Sequence, residues 1–369
     1  MDLSTDQLEW LRFANAELSP RAAHAVLDRF GSPEALFAAP DHEVAAVPEL
    51  TPEQFERLLD PARIPTVEQC TKFDELGVSV ITRGMESYPR LLVDVIDRPP
   101  ALFLRGDLDE RDQFSVAIVG TRSPSPYGRE IASMLARDLA EMGFTIVSGG
   151  AVGIDTVAHT AALRAGGRTL VILGCGLDVR YPAGNQQLFK EIVTENAGAI
   201  LTEFPIGATP EAWRFPARNR VISGISMGVI VVEAGRQSGA LITAGTAGEQ
   251  GRDVMAVPGN IDQPMSAGPN ALIRDGAALI TCAEDVVDAL GVLVLQRTSA
   301  AIPIDRTEGL SDPQRRLLAL LSLVPKYIDI LAAEAGMSIS EASAQLTLLE
   351  LEGLVHRQPG GCFIRSLRV

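Results

Sequence analysis

Arg122, Arg180, Arg218 and Arg220 each lie in or beside a loop rich in small and polar residues, and most of these loops follow an apolar run. A guanidinium offers phosphate a planar fork of donors. Glycine lets a backbone approach a ligand closely, and hydroxyls donate to phosphate oxygens. The loops are Gly120-Thr121-Arg122-Ser123, Ser148-Gly149-Gly150-Ala151-Val152-Gly153-Ile154-Asp155, residues 174–182, Phe215-Pro216-Ala217-Arg218-Asn219-Arg220, Ser238-Gly239-Ala240-Leu241-Ile242-Thr243 and residues 257–260. The chemistry they suit is the holding of anions, phosphates above all.

Each loop also has a plainer reading. A lone loop arginine such as Arg122 suits a surface salt bridge. In the second loop a tight strand-to-helix turn accounts for one or two of Gly149, Gly150 and Gly153, and poorly for all three. Asp155 is placed to cap the helix expected over 156–165. Arg218 and Arg220 flank Asn219 just before a helix expected over 221–225. The helix dipole favours acids at that end, so either a bound anion offsets the charge or Arg220 pairs with Glu233 or Asp155. Both readings stand at this stage.

The elements that must position these loops are near-continuous apolar runs at 116–119, 144–147, 169–173, 199–201, 228–232 and 254–257. Unalternating runs mean burial on both faces, as in a parallel sheet. Right-handed crossovers then carry every following loop to one rim, where helix N-termini present N–H groups to an anion. The expected fold is α/β, with a Rossmann-like extended parallel-sheet body over residues 67–290. Strands at 78–82 and 101–105 precede its main run.

Residues 1–66 read as a small helical module of the sterile-alpha-motif or helix-hairpin-helix kind, with Ser19-Pro20, Ser32-Pro33 and Thr51-Pro52 as helix starts. Residues 291–306 read as a linker. Residues 307–369 give helices at 313–323, 328–335 and 340–352 and a two-stranded ribbon, the pattern of a winged helix. Its recognition helix, from Ser340 onward, has no Lys or Arg. That favours protein contact or an accessory role over sequence-specific reading of a duplex.

The 369 residues carry a net charge of −15, which argues against nucleic acid at first sight. The acidity is uneven. Residues 1–114 hold 11 basic and 22 acidic side chains, residues 115–290 hold 13 and 17, and the remainder 8 and 8. A local basic site in the body is therefore compatible with the total. No apolar run reaches membrane-spanning length, and Met1-Asp2-Leu3-Ser4 does not open a signal peptide. Cys70, Cys175, Cys282 and Cys362 are scattered, which suits a reducing cytoplasm and neither a disulfide framework nor a metal site. No P-loop and no His/Cys/carboxylate set at metal spacing is present, no Ser in a G-x-S-x-G elbow sits beside a candidate base, and His159 reads as a core or surface histidine. No cofactor and no catalytic residue is expected.

In their order, Gly120-Thr121-Arg122, Ser148-Gly149-x-Ala151-x-Gly153-Ile154-Asp155, Gly176-Leu177-Asp178-x-x-Tyr181-Pro182, Phe215-Pro216-x-Arg218-Asn219-Arg220 and Thr243-Ala244-x(13)-Pro258-Gly259 resemble the family of DNA-processing protein A, also called Smf. The resemblance implies a cytoplasmic, dimeric, non-enzymatic protein. Such proteins bind single-stranded DNA during natural transformation, protect it and load the RecA recombinase, with interplay with single-stranded-DNA-binding protein. It implies a binding pocket at Gly120, Thr121, Arg122, Ser123, Ser148, Gly149, Gly150, Gly153, Asp155, Arg180, Arg218, Asn219, Arg220, Ser238, Gly239 and Thr243. Ala240 stands where many members have Ser, and Arg180 where Lys is common. Aromatics are only 5% of residues, so stacking is expected to be secondary, with Tyr127, Tyr181 and Phe215 the ones near the rim. Binding should thus be sequence-independent and salt-sensitive.

Two rivals remain. A nucleotide phosphoribohydrolase would share the sheet and loops, yet Pro258-Gly259-Asn260 lacks that family's P-G-G-x-G-T-x-x-E continuation. A winged-helix transcription factor would need a basic recognition helix.

Overall fold

The computed structural model describes residues 5–291, 310–321, 326–352, 354–358 and 360–365. The chain divides into two compact units, residues 1–290 and 291–369. Most of the expected linker lies outside the described residues.

Nine strands form one sheet in the first unit: β1 Ser79–Thr82, β2 Ala101–Gly106, β3 Ser115–Val119, β4 Thr145–Ser148, β5 Thr169–Ile172, β6 Gly198–Thr202, β7 Gly228–Val231, β8 Asp253–Ala256 and β9 Ala278–Leu279. Their order is β1-β2-β6-β5-β4-β3-β7-β8-β9. All pairs from β6 to β9 are parallel. β1 and β2 run antiparallel along the β6 edge. The expected α/β body is therefore present, with an antiparallel extension. β9, two residues long, gave no apolar run to read.

Every residue of β3 through β7 is buried. Ala117, Val147, Leu170, Leu201 and Val229 pack one face against Val221 and Ala244. Val171, Ile200 and Phe103 pack the other against Phe189 and Ile192. Each such side chain contributes about 1.5–3 kcal/mol when fully buried. The order reverses between β3 and β7, the first strand of the parallel run and its fifth. This is the switch point where loops diverge and leave a crevice.

Four of the helices described over residues 5–75 start where hydroxyls cap them. Ser19 accepts from Ala22 N and Ser32 from Ala35 N. Thr51 and Gln54 form a reciprocal capping box. A further helix, Val67–Glu75, uses the same device with Thr66 and Gln69. Sequence reading passed over this one, although its T-x-x-Q signature was legible.

In the second unit, helices Asp312–Leu320, Ile328–Ala335 and Ile339–Leu351 enclose Leu317, Leu331, Leu346 and Leu349. Val355–Gln358 and Cys362–Arg365 pair as the expected ribbon, and Lys326–Tyr327 adds a third strand too short for pattern reading. Among the described residues no helix is long and apolar enough to cross a membrane.

His159 lies fully buried on helix Ile154–Arg164, which follows the Gly-rich loop. Thr169 Oγ1 gives its only hydrogen to Ile146 O at 2.7 Å, so His159 Nδ1 must donate to Thr169 Oγ1 at 2.7 Å. Nε2 is buried with no partner. A second ring proton would thus sit in the core unpaired. Burial, helped by the Arg218 charge, pushes the pKa from 6.5 down to about 3. A depressed pKa makes the stabilising contribution complete above the unfolded value and lost as pH falls toward the folded one. The loss is about 1.4 kcal/mol per pH unit across that window. Urea melts of wild type and His159→Gln between pH 6.5 and 3 should diverge, with wild type falling more steeply. Parallel curves would show that the ring titrates freely.

Candidate nucleic-acid interface

The loop after β3 is stitched to its neighbours through its backbone. Thr121 N donates to Glu233 O at 2.7 Å, past the end of β7, and Ile154 N donates to Thr121 O at 3.2 Å. The ends of β3, β4 and β7 are thereby held within one hydrogen bond of each other. Glu233 is buried at the switch point, where its carboxylate accepts from Ser125 N at 2.9 Å and from the Ser125 hydroxyl. Ser125 in turn caps helix Pro126–Glu141. Sequence reading assigned Glu233 only as a partner for Arg220; it instead anchors the crevice floor.

Gly153 explains why the second loop needs its glycines. Its φ is +95°, and a Cβ there would press into Thr121 O and the Arg122 backbone. Gly149 is crowded in a different way, with the Arg218 guanidinium where its Cβ would stand. Arg218 is buried and donates to Gly149 O and to Ile172 O. On the other side of the same loop, the Asp155 carboxylate accepts from Gly149 N at 3.1 Å and Ala151 N at 3.3 Å. Asp155 is therefore not the helix cap. The cap position is Gly153, and Asp155 reaches back from the first turn of helix Ile154–Arg164. Burial pushes its carboxyl up, opposed by the Arg218 charge and by the hydrogen bonds from the Ala151 and Gly149 amides. Two of the amides expected to face a phosphate are thus taken by the protein's own carboxylate. Ser148 is likewise turned inward, donating to Ile118 O at 2.6 Å, and Gly150 backs onto Val171 and Phe189.

The Arg218-Asn219-Arg220 segment departs from expectation. It lies inside helix Arg214–Gly224, not at the N-terminus of a helix starting at 221. Pro216 falls in the first turn of this helix, where proline is tolerated. The dipole argument for an anion at these arginines therefore fails. Arg220 is buried and pairs with Glu203, with Asp97 Oδ2 at 3.6 Å from its Nε. Glu233 and Asp155 are not its partners. Asn219 is buried and its amide reaches Gly239 O at 3.4 Å. Ser238 caps helix Gly239–Glu249, and the buried Thr243 hydroxyl bonds Gly239 O at 3.4 Å.

What faces outward is a smaller set. Arg122 and Ser123 are exposed, as are Arg180 and Gly239. The Arg122 guanidinium sits 5.4 Å from the Phe215 ring centroid, and the Tyr181 ring lies 5.7 Å from the same ring, tilted by 44°. This row of Arg122, Phe215 and Tyr181 joins the loops after β3 and β5 across helix Arg214–Gly224. Arg122 forms no ion pair among the described residues, and its charge faces solvent beside an aromatic face. Arg236, exposed in the loop after β7, is a further cation that sequence reading overlooked. It stands two residues before Ser238 in a loop already singled out. Tyr127 is half-exposed, its hydroxyl bonded to Pro258 O at 3.0 Å.

Residues 79–291 match the model of the DNA recombination-mediator protein A family, and residues 303–361 match that of the DprA winged helix domain. Protein Smf of Escherichia coli K12 is 39% identical over 324 residues, 86% of either chain. The X-ray structure of DNA processing protein A from Streptococcus pneumoniae is 34% identical, covers 78% of this chain and 98% of that one, and superposes with a TM-score of 0.65. A Helicobacter pylori DNA processing protein A, whose structure describes a single-stranded DNA binding mode, is 32% identical over 58% of this chain and 95% of that one, with a TM-score of 0.51.

The tight contact at Gly153 sets an expectation. Gly153→Ala forces a β-carbon into the Thr121–Arg122 backbone at positive φ, a strain of about 1–3 kcal/mol before any clash. Thermal melting should show a lowered midpoint. A midpoint equal to wild type would mean that the rim loops are not locked together as described.

Proposed function

The chain belongs to the DNA recombination-mediator protein A family, and from that premise we propose that it binds single-stranded DNA along the rim formed by the loops after β3, β5 and β7. The observation that carries this reading is the exposed Arg122 beside Phe215 at the switch point, a cation without an acidic partner among the described residues. The exposed groups at Arg122, Ser123, Arg180 and Gly239, with the half-buried Ser238 beside them, meet the strand. Gly120, Thr121, Ser148, Gly149, Gly150, Gly153, Asp155, Arg218, Asn219, Arg220 and Thr243 act as positioning residues beneath them.

Phosphates take the charge of the arginines, while Phe215 and Tyr181 offer one aromatic step for a base. Nothing in this arrangement reads base edges, so recognition is sequence-independent. The rim is a holding site and not a catalytic one: its buried carboxylates, Asp155 and Glu233, are already bonded to backbone amides. We extend the reading, on the family's account, to a cytoplasmic homodimer that shields incoming strands and passes them to the RecA recombinase, with single-stranded-DNA-binding protein as a further partner. The residues 1–66 and 307–369 are taken as accessory modules flanking the body. The face of helix Ile339–Leu351 that carries Ser343, Ala344, Thr347 and Leu348 has no cation, which suits a protein contact better than a duplex.

Arg122→Ala should weaken binding to oligo-dT about tenfold and make its logarithmic salt dependence shallower by about 0.7, one phosphate contact's worth. The same loss should appear on other single-stranded sequences. Fluorescence anisotropy at several salt concentrations checks this; unchanged affinity in a folded variant sinks the rim assignment. Arg220→Gln should behave differently. It leaves Glu203 buried without its partner, so it should lower stability by about 3–5 kcal/mol in a urea melt. If Arg220→Gln instead melts like wild type and binds strands weakly, Arg220 belongs to the contact surface.

A further inference from the structure

A cavity of about 480 Å³ opens between helix Gln186–Thr194, the loop carrying Arg180 and the sheet edge at β2 and β6. Its walls hold Arg105, Arg180 and Lys190 and no carboxylate. Arg105 projects from β2, with its Nε bonded to Leu76 O at 3.2 Å and no hydrogen bond from its two terminal nitrogens among the described residues. Burial lowers its pKa, and no acid opposes the shift. Lys190 and Gln186 stand one turn apart on the same helix face. None of the three cations forms an ion pair among the described residues. Leu177 and Phe189 supply an apolar floor.

Arg105 is part-buried while Arg180 and Lys190 are exposed, so three cations with no ion pair among the described residues line one cavity and make its local potential positive. The space is within the range of small-molecule sites, and it combines a cationic wall, an apolar floor and a side-chain amide. We propose that this cavity binds a nucleoside phosphate unit, its phosphate on Arg105, Arg180 and Lys190 and its base over Phe189. The unit has two sources of the same chemistry. It is a free mononucleotide, or it is a nucleotide of a bound strand that leaves the rim past Arg180; the second case rests on the strand-binding reading above.

The test uses the full chain with Lys190→Glu, Arg105→Gln and the double variant. Thymidine 5′-monophosphate is titrated calorimetrically, and 3′-labelled oligo-dT of about 20 nucleotides by anisotropy. The double variant is expected to lose about tenfold in affinity for the probe that occupies the cavity, and for the strand also to show a shallower salt dependence. Loss for the monophosphate alone assigns a free nucleotide; loss for oligo-dT assigns the strand. Unchanged binding of both probes by folded variants overturns the proposal. Lys190→Glu alters an exposed helix position, so it keeps the test readable if Arg105→Gln does not fold. Arg122→Ala separates the two ideas. If it weakens oligo-dT binding while the cavity variants weaken neither probe, the cavity is wrong and the rim stands. The reverse pattern removes the rim and keeps the cavity.

Discussion

The Gly149 peptide is gripped from both sides, and the rest of the rim depends on that grip. Arg218 takes its carbonyl and that of Ile172, while Asp155 takes its N–H and that of Ala151. A guanidinium and a carboxylate buried this deeply would each be costly alone. Here each spends its hydrogen-bonding capacity on backbone that would otherwise be an unsatisfied turn. The result fixes the β4 loop in the one shape that lets Gly153 lie against Thr121, and Thr121 in turn is tied to Glu233. The exposed Arg122 is held at the end of that chain of contacts.

Much of the body was legible because a buried parallel sheet leaves a coarse signal. Residues 116–119 or 228–232 are apolar without alternation, and little besides a two-faced strand reads that way. The glycine-rich loops were legible for a similar reason: Gly153 requires positive φ and the absence of a Cβ. What stayed hidden was whether a polar residue points in or out. Arg218 and Arg220 look identical to Arg122 as letters, yet both are buried and one pairs with Glu203. Their partners lie far away in sequence, on β5, on the segment after β6 and near residue 97, and only the crossovers bring them together. The helix start at Arg214 was missed for a local reason: residues 215–220 read as a loop before a helix at 221, while Pro216 sits in a first turn that accepts it. Lys326–Tyr327 and β9 were missed because two residues carry no periodicity.

The same distinction resolves the charge problem. A chain with net charge −15 need not repel a polyanion everywhere. Screening cuts exposed charges off from one another beyond about 10 Å at ordinary salt, so the local field at the rim and at the Arg105–Lys190 cavity is set by what stands there. At both places, cations face solvent without acids beside them. The acidic excess of residues 1–114 falls largely on a different part of the same unit, where several carboxylates are already engaged, as Asp28 is with Arg83 and Asp112 with Arg168.

This division of labour among arginines also says which substitutions will mislead. A buried arginine in a motif weakens function by loosening the scaffold, and binding assays alone would score it as a contact. An exposed one changes the field and leaves the fold intact. The discriminating variable is the partner: where a carboxylate or carbonyl already fills the guanidinium's fork, no phosphate can use it without breaking the fold. By that criterion Arg218 and Arg220 hold the site in shape. Arg122 and Arg180, exposed and without an ion pair among the described residues, are the ones the proposed reading assigns to the anion.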